Sequence, residues 1–276
     1  MKLHMINKST VPLVIFLFSI SSLLGADWPM WGKDGSRNMV SDEKKITFDF
    51  VAGEMSDDEV VDMKTTKNLR WVAKLGSQAY GNVTIGNGCV FVGTNNESPR
   101  DPGKKGDRGV VMCLDEKSGE LKWQLVIPKL GAGKVSDWEY IGICSSTAID
   151  GDKVYVVTNR CEVVCLDIHG LTNGNDGPFK DEASYIKPKG MSDVLNEKLD
   201  ADILWMYDMR DELGVFPHNV TSSSPVIIGD TPSNKTDVKC SISANQPQAL
   251  ASSWGTLSQP LFVSTFSAVS LLPTNV

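Results

Sequence analysis

Few residues in this chain are of types and spacings that do chemistry. Of its three histidines, only His169 and His218 lie beyond the first segment, so a histidine general base would be one of these. Neither has a patterned nucleophile beside it. His218 stands in VFPHNVTSSS, where a serine run ahead of a strand is ordinary turn chemistry, and the GxSxG elbow of serine hydrolases is absent. The stretch DIHGLTNGNDGPFKDE, from Asp167 to Glu182, gathers Asn173, Asn175, Asp176, Asp181 and Glu182, oxygen donors suited to a hard cation. Their spacing lacks the alternate acids, sixth-position glycine and twelfth-position glutamate of a calcium loop. A glycine-rich connection between strands accounts for the same residues, and no metal is expected. Asn159 and Arg160, in the tight TNRC turn, are candidates for a ligand contact or for simple solvation.

The six cysteines are Cys89, Cys113, Cys144, Cys161, Cys165 and Cys240. A zinc site needs four ligands, and neither a CxxC pair nor clustered histidines supply them. Most of the cysteines fall in apolar strand runs, where a free thiol behaves as a small buried hydrophobe. Cys161 and Cys165 are too far apart along one extended strand for an easy bridge.

The elements that must position these residues begin after an address. Lys2 and Lys8 precede an apolar run from Val11 to Leu24, then small Gly25 and Ala26 and polar chain, the three-part pattern of a secretory signal over residues 1–26. Interrupted by Pro12 and serines, the run is short for a membrane span. A periplasmic or secreted product follows, in a compartment that permits disulfides. Loss of residues 1–26 removes two lysines and no acids, leaving 25 basic against 34 acidic residues, net −9. That balance disfavours nucleic-acid binding. The 41% hydrophobic and 22% charged content is that of a folded protein.

Internal repetition is the strongest signal. NVTIGNGCVFVGT and RGVVMCLDEKSGELKW form one copy; SSTAIDGDKVYVVTNRCEVVCLDIHG, residues 145–170, begins a second. In each, an apolar strand meets a glycine turn (Asn87-Gly88, Gly151-Asp152) and a β-branched strand follows, the mark of a hairpin. A third strand ends in Cys-Leu-Asp at 113–115 and 165–167. Tryptophan marks the fourth, at Trp123 and Trp205, and Trp71 is expected to end a strand before the first copy. The insertion from Thr94 to Arg108, TNNESPRDPGKKGDR, is expected as a surface loop. A third copy starts at SSSPVIIGD, residues 222–230, and then falters at Pro232. From Ser241 to Val276 there is no charged residue. This tail, residues 231–276, reads as unpatterned and as a frame-shifted ending, so the chain is expected to be truncated.

Four strands per unit, an Asp-x-x-x-Gly turn from Asp115 to Gly119 and a closing Trp123 resemble the tryptophan-docking repeats of quinoprotein-like (PQQ-type) β-propellers. The opening DWPMWGKDGSRN, Asp27 to Asn38, is similar to the start of exported members of planctomycete type. The resemblance covers residues 27–230. It implies an all-β fold, a partial β-propeller of four-stranded antiparallel blades whose apolar faces need neighbours. Two or three blades close no ring, so exposed edges and a marginally stable chain are expected. The family spans pyrroloquinoline-quinone alcohol dehydrogenases and non-enzymatic envelope scaffolds, and shared repeats do not choose between them. The dehydrogenases use an adjacent Cys-Cys pair, absent here, and no residue matches their calcium ligands or aspartate base. The expectation is therefore a binding or scaffold protein with envelope partners and no evident cofactor. The alternative is a quinone- and calcium-dependent oxidoreductase whose active-site blades lie outside this sequence.

Overall fold

The computed structural model describes residues 26–43, 49–187, 195–196, 198–228, 237–241 and 261–264. The expected signal segment, apart from Ala26, lies outside them. A small hairpin comes first, β1 (Glu54–Met55) against β2 (Val61–Asp62). Two four-stranded sheets follow, and they hold the core.

The first sheet is β3 (Thr84–Gly86), β4 (Cys89–Asn95), β5 (Arg108–Asp115) and β6 (Leu121–Pro128), in that spatial order, every pair antiparallel. Asn87 and Gly88 join β3 to β4 with φ of 52° and 71°. Two successive left-handed residues define the type I′ turn that Asn-Gly favours, because its twist matches that of the strands. The β5–β6 turn is held by Asp115, whose Oδ1 accepts from the backbone N–H of Lys117 and Ser118, each at 2.9 Å.

The second sheet repeats the plan with β7 (Ala148–Asp150), β8 (Lys153–Val157), β9 (Glu162–Asp167) and β10 (Ile203–Asp208). Its β9–β10 connection is long and carries a 3-10 turn, Gly170–Asn173, and the short α1 (Glu182–Tyr185). After β10 comes α2 (Met209–Leu213), capped by Asp208, whose side chain accepts from Arg210 N, and closed by Gly214 at φ 63°. Strands and turns dominate, and the sheets do not close into a ring among the described residues.

Because strand side chains alternate, each sheet has two faces to cover. Phe91, Val111, Cys113, Trp123, Leu125 and Ile127 of the first sheet meet Ile149, Val154, Val156, Val164, Leu166 and Ile203 of the second in one core. The far face of the first sheet, Val90, Val92, Val110, Met112 and Val126, is covered by Trp71, Ala73 and Leu75. On the far face of the second, Tyr155, Val157, Val163 and Cys165 lie beneath Met209, Val215, Val226 and Ile227.

One contact recurs along the chain. Trp71 Nε1 donates to Glu116 O at 2.9 Å, and Trp123 Nε1 to Ile168 O at 2.7 Å; both bonds span 45 residues. Each indole lies on a glycine with positive φ. A Cβ on Gly119 would come within 2.5 Å of Trp71, and one on Gly170 within 2.8 Å of Trp123. Glycine is required at both places by backbone conformation and by the approach of the ring.

Three features differ from expectation. The Leu69–Trp71 segment is irregular rather than a strand, for among the described residues no partner strand stands beside it to complete a ladder. The insertion expected from Thr94 to Arg108 is a loop only between Asn95 and Arg108, its ends belonging to β4 and β5, and Lys104 turns inward from it and is 2% exposed. Within the tail, β12 (Asp237–Ser241) pairs antiparallel with β11 (Val226–Ile228), and β13 (Leu261–Ser264) joins β12 in parallel. The third sheet thus departs from the up-and-down order of the first two.

Edges are covered more fully than the pattern of strands implied. Trp28 exchanges both backbone hydrogen bonds with Ile85 on β3, and Pro29 O accepts from Ile149 N on β7. The opening segment therefore lines the first strand of both sheets. At the other side of the first sheet, Gln124 N donates to Leu199 O and Ala201 N to Gln124 O, adding a rung to β6. No helix among the described residues is long and apolar enough to cross a membrane.

Candidate functional site

Two polar clusters sit around the second sheet, and they differ in whether cations face their carboxylates. The first centres on Glu162, fully buried at the start of β9. It accepts from Tyr185 Oη at 2.6 Å and Thr158 Oγ1 at 3.1 Å. Arg160 Nε and Arg210 Nη2 each lie 3.1 Å from its Oε1. Arg160 also stacks over the Tyr185 ring, 5.3 Å from its centroid. Its neighbour Asn159 is fully buried, with Nδ2 reaching Pro128 O at 3.4 Å and Asp137 Oδ2 at 3.3 Å. The TNRC turn thus lies in a seam between the sheets, with Asn159 buried and Arg160 partly exposed. Glu162's surroundings answer its charge with two guanidinium groups, which makes it a structural knot.

The second cluster lies on the β9–β10 connection. Asp167 ends β9, Asp202 immediately precedes β10, and Asp176 comes from the loop between them. One oxygen of each lies within 4.8 Å of the others. The loop is shaped by its own polar residues. Asp167 Oδ1 accepts from His169 N at 2.6 Å, and Asp202 Oδ2 from Asp176 N at 2.8 Å. Asn175 Nδ2 donates to Glu182 Oε2 at 2.7 Å, while Asn173 Nδ2 donates to Asp176 Oδ2 at 3.3 Å. Burial, then the charges of Glu182, Asp167 and Asp176, push the Asp202 carboxyl up to about 6 against the bond from Asp176 N.

Of the residues singled out in the sequence for oxygen donation, Asp176 reaches this cluster. Glu182 is buried beside it, held by Asn175 and by Ile203 N at 3.4 Å; Asp181 is exposed ahead of α1. Asp202 was missed. It belongs to the strand approach ADILW, beyond the end of the polar stretch, and only the return of the chain to pair with β9 brings it back. The side chains of His169 and His218 are exposed.

The five cysteines whose side chains are described are buried free thiols. In the first sheet, Lys122 Nζ lies 3.2 Å from Cys89 Sγ. The Cys113 thiol and this ammonium hold Cys89 below its ordinary range, at about 6, while burial pushes Cys113 up. Burial also raises Cys161 and Cys165 to about 12. The chain matches no protein-family model and no curated protein.

Proposed function

We propose that this chain is an exported binding or scaffold protein of a bacterial envelope, built on quinoprotein-like propeller blades. The observation that carries this reading is the repeated indole dock: the same bond, across the same 45 residues, sets Trp71 on the β5–β6 turn of the first sheet and Trp123 of the first sheet on the chain that leaves β9 of the second. Repeat sheets of this kind bury a shared core against one another, and stacked sheets present their connections as a surface. The β4–β5 loop and the long β9–β10 connection are two of these. They are linked by Lys104, which reaches Asp200 at 2.9 Å.

The test uses the full chain, purified after export. An envelope partner recovered by crosslinking should be lost when residues 97–103 are replaced by a glycine-serine linker, with the fold unchanged by circular dichroism. Stoichiometric uptake of pyrroloquinoline quinone with calcium, followed by dye reduction with simple alcohols, would overturn the scaffold reading in favour of an oxidoreductase.

A further inference from the structure

Three carboxylates meet on the β9–β10 connection, and the ion pairs of the described residues involve none of them. Their neighbour Glu182 adds a fourth negative charge. Asp202 is 0% exposed. Its Oδ2 accepts from Asp176 N, but its Oδ1 has no hydrogen-bond partner. An ionised oxygen taken out of water without a donor is costly, and folding has placed two further acids beside it.

We propose that Asp167, Asp176 and Asp202 bind a divalent cation of the calcium class, with Asp202 Oδ1 as a buried ligand. The donor set is all oxygen, which suits a hard cation and not zinc, whose structural sites draw on sulfur and imidazole nitrogen. The three acids come from a strand end, a loop and a strand approach, an irregular arrangement that calcium accepts and magnesium, with its near-ideal octahedron, does not. Asp176 is exposed, so the outer side is open to the waters that complete a coordination of six to eight. Gly174 and Gly177, at φ 125° and 68°, flank Asp176 and let the loop turn its carboxylate inward. The cation ties the beginning of the connection to its end, next to the point where Trp123 docks on Ile168 and Gly170. This site requires no quinone and is independent of the envelope role.

The experiment is a thermal melt of the chelator-treated full chain titrated with calcium chloride, alongside terbium luminescence excited through tryptophan. Calcium at a hundredfold excess over its dissociation constant is expected to raise Tm by about 5 to 10 °C. Terbium should give sensitised emission that calcium displaces. Asp176→Asn alters an exposed side chain and should weaken calcium binding at least about tenfold; Asp202→Asn should abolish it. The proposal is overturned if the chelator-treated parent chain shows neither a calcium-dependent Tm shift nor terbium emission, or if Asp176→Asn responds as the parent does. An equal response to magnesium would overturn the calcium assignment.

Discussion

The two four-stranded sheets follow one rule and spend their connections differently. In the first, β5 returns as β6 through a five-residue turn held by Asp115. In the second, the equivalent step from β9 to β10 runs from residue 168 to 202 and includes a 3-10 turn and α1. Both nevertheless accept a tryptophan from the chain before them, Trp71 at Gly119 and Trp123 at Gly170. What the units share is therefore the register of the inner hairpins and the docking of an indole on a left-handed glycine. The last connection is free to grow, and in the second sheet it has grown the acidic cluster.

Removing the two indoles is the sharpest way to break the comparison. Trp123→Ala should destabilise the fold by about 3–5 kcal/mol, as for a large buried aromatic, since Trp123 is 1% exposed within the inter-sheet core. Trp71 is only half-buried, and Trp71→Ala should cost about 1–2 kcal/mol. Urea denaturation of both variants would measure the difference; equal losses would mean that the two docks are not graded by burial.

Breaking the link between the connections comes close behind. Lys104→Ala leaves Asp200 buried without its ammonium, and loss of one partner from such a pair costs about 3–5 kcal/mol. Lys104→Met with Asp200→Leu should recover most of that loss, which a double-mutant cycle would show.

The glycines beneath the rings should respond next. Gly119→Ala and Gly170→Ala each place a Cβ in a left-handed conformation and against an indole; about 1–3 kcal/mol is expected for each. The quench of tryptophan fluorescence in the native state should change with either substitution.

The smallest effect sharpens the contrast in thiol chemistry. Where the first sheet carries Cys89 beside Cys113, the second has Lys153 at the equivalent position on β8, and Cys165 stays far from ionising. Cys89 is held below the ordinary thiol value of 9.0, at about 6. Its thiolate therefore contributes stability above 9.0, and that contribution is lost as pH falls through about 6. Lys122→Met should shift the rise of thiolate ultraviolet absorbance to higher pH, while Cys165→Ser should leave that rise in place.

Much of the architecture is legible in the sequence, for local reasons. Asn-Gly and Gly-Asp turns between β-branched runs specify hairpins, and the paired Cys-Leu-Asp strands and closing tryptophans mark the repeat. The irregular path at Trp71 was not legible, because Leu-Arg-Trp carries strand propensity and only the absence of a neighbouring strand leaves it unpaired. Lys104 read as one more charge in a solvated insertion, since nothing local announces a carboxylate at Asp200.

The candidate site shows the same division. Asp176 belongs to a conspicuous polar stretch, and its neighbours alone argued for a loop. Asp202 lies in an unremarkable strand approach, where its only local signal is an acid before an apolar run. Residue order by itself determined the hairpins, their turns and the number of strands in each repeat, because these depend on side-chain alternation and on backbone angles within a few residues. The tertiary structure alone decided which acids face one another and which oxygen is stranded, because burial and electrostatic proximity arise only when β10 returns to lie along β9.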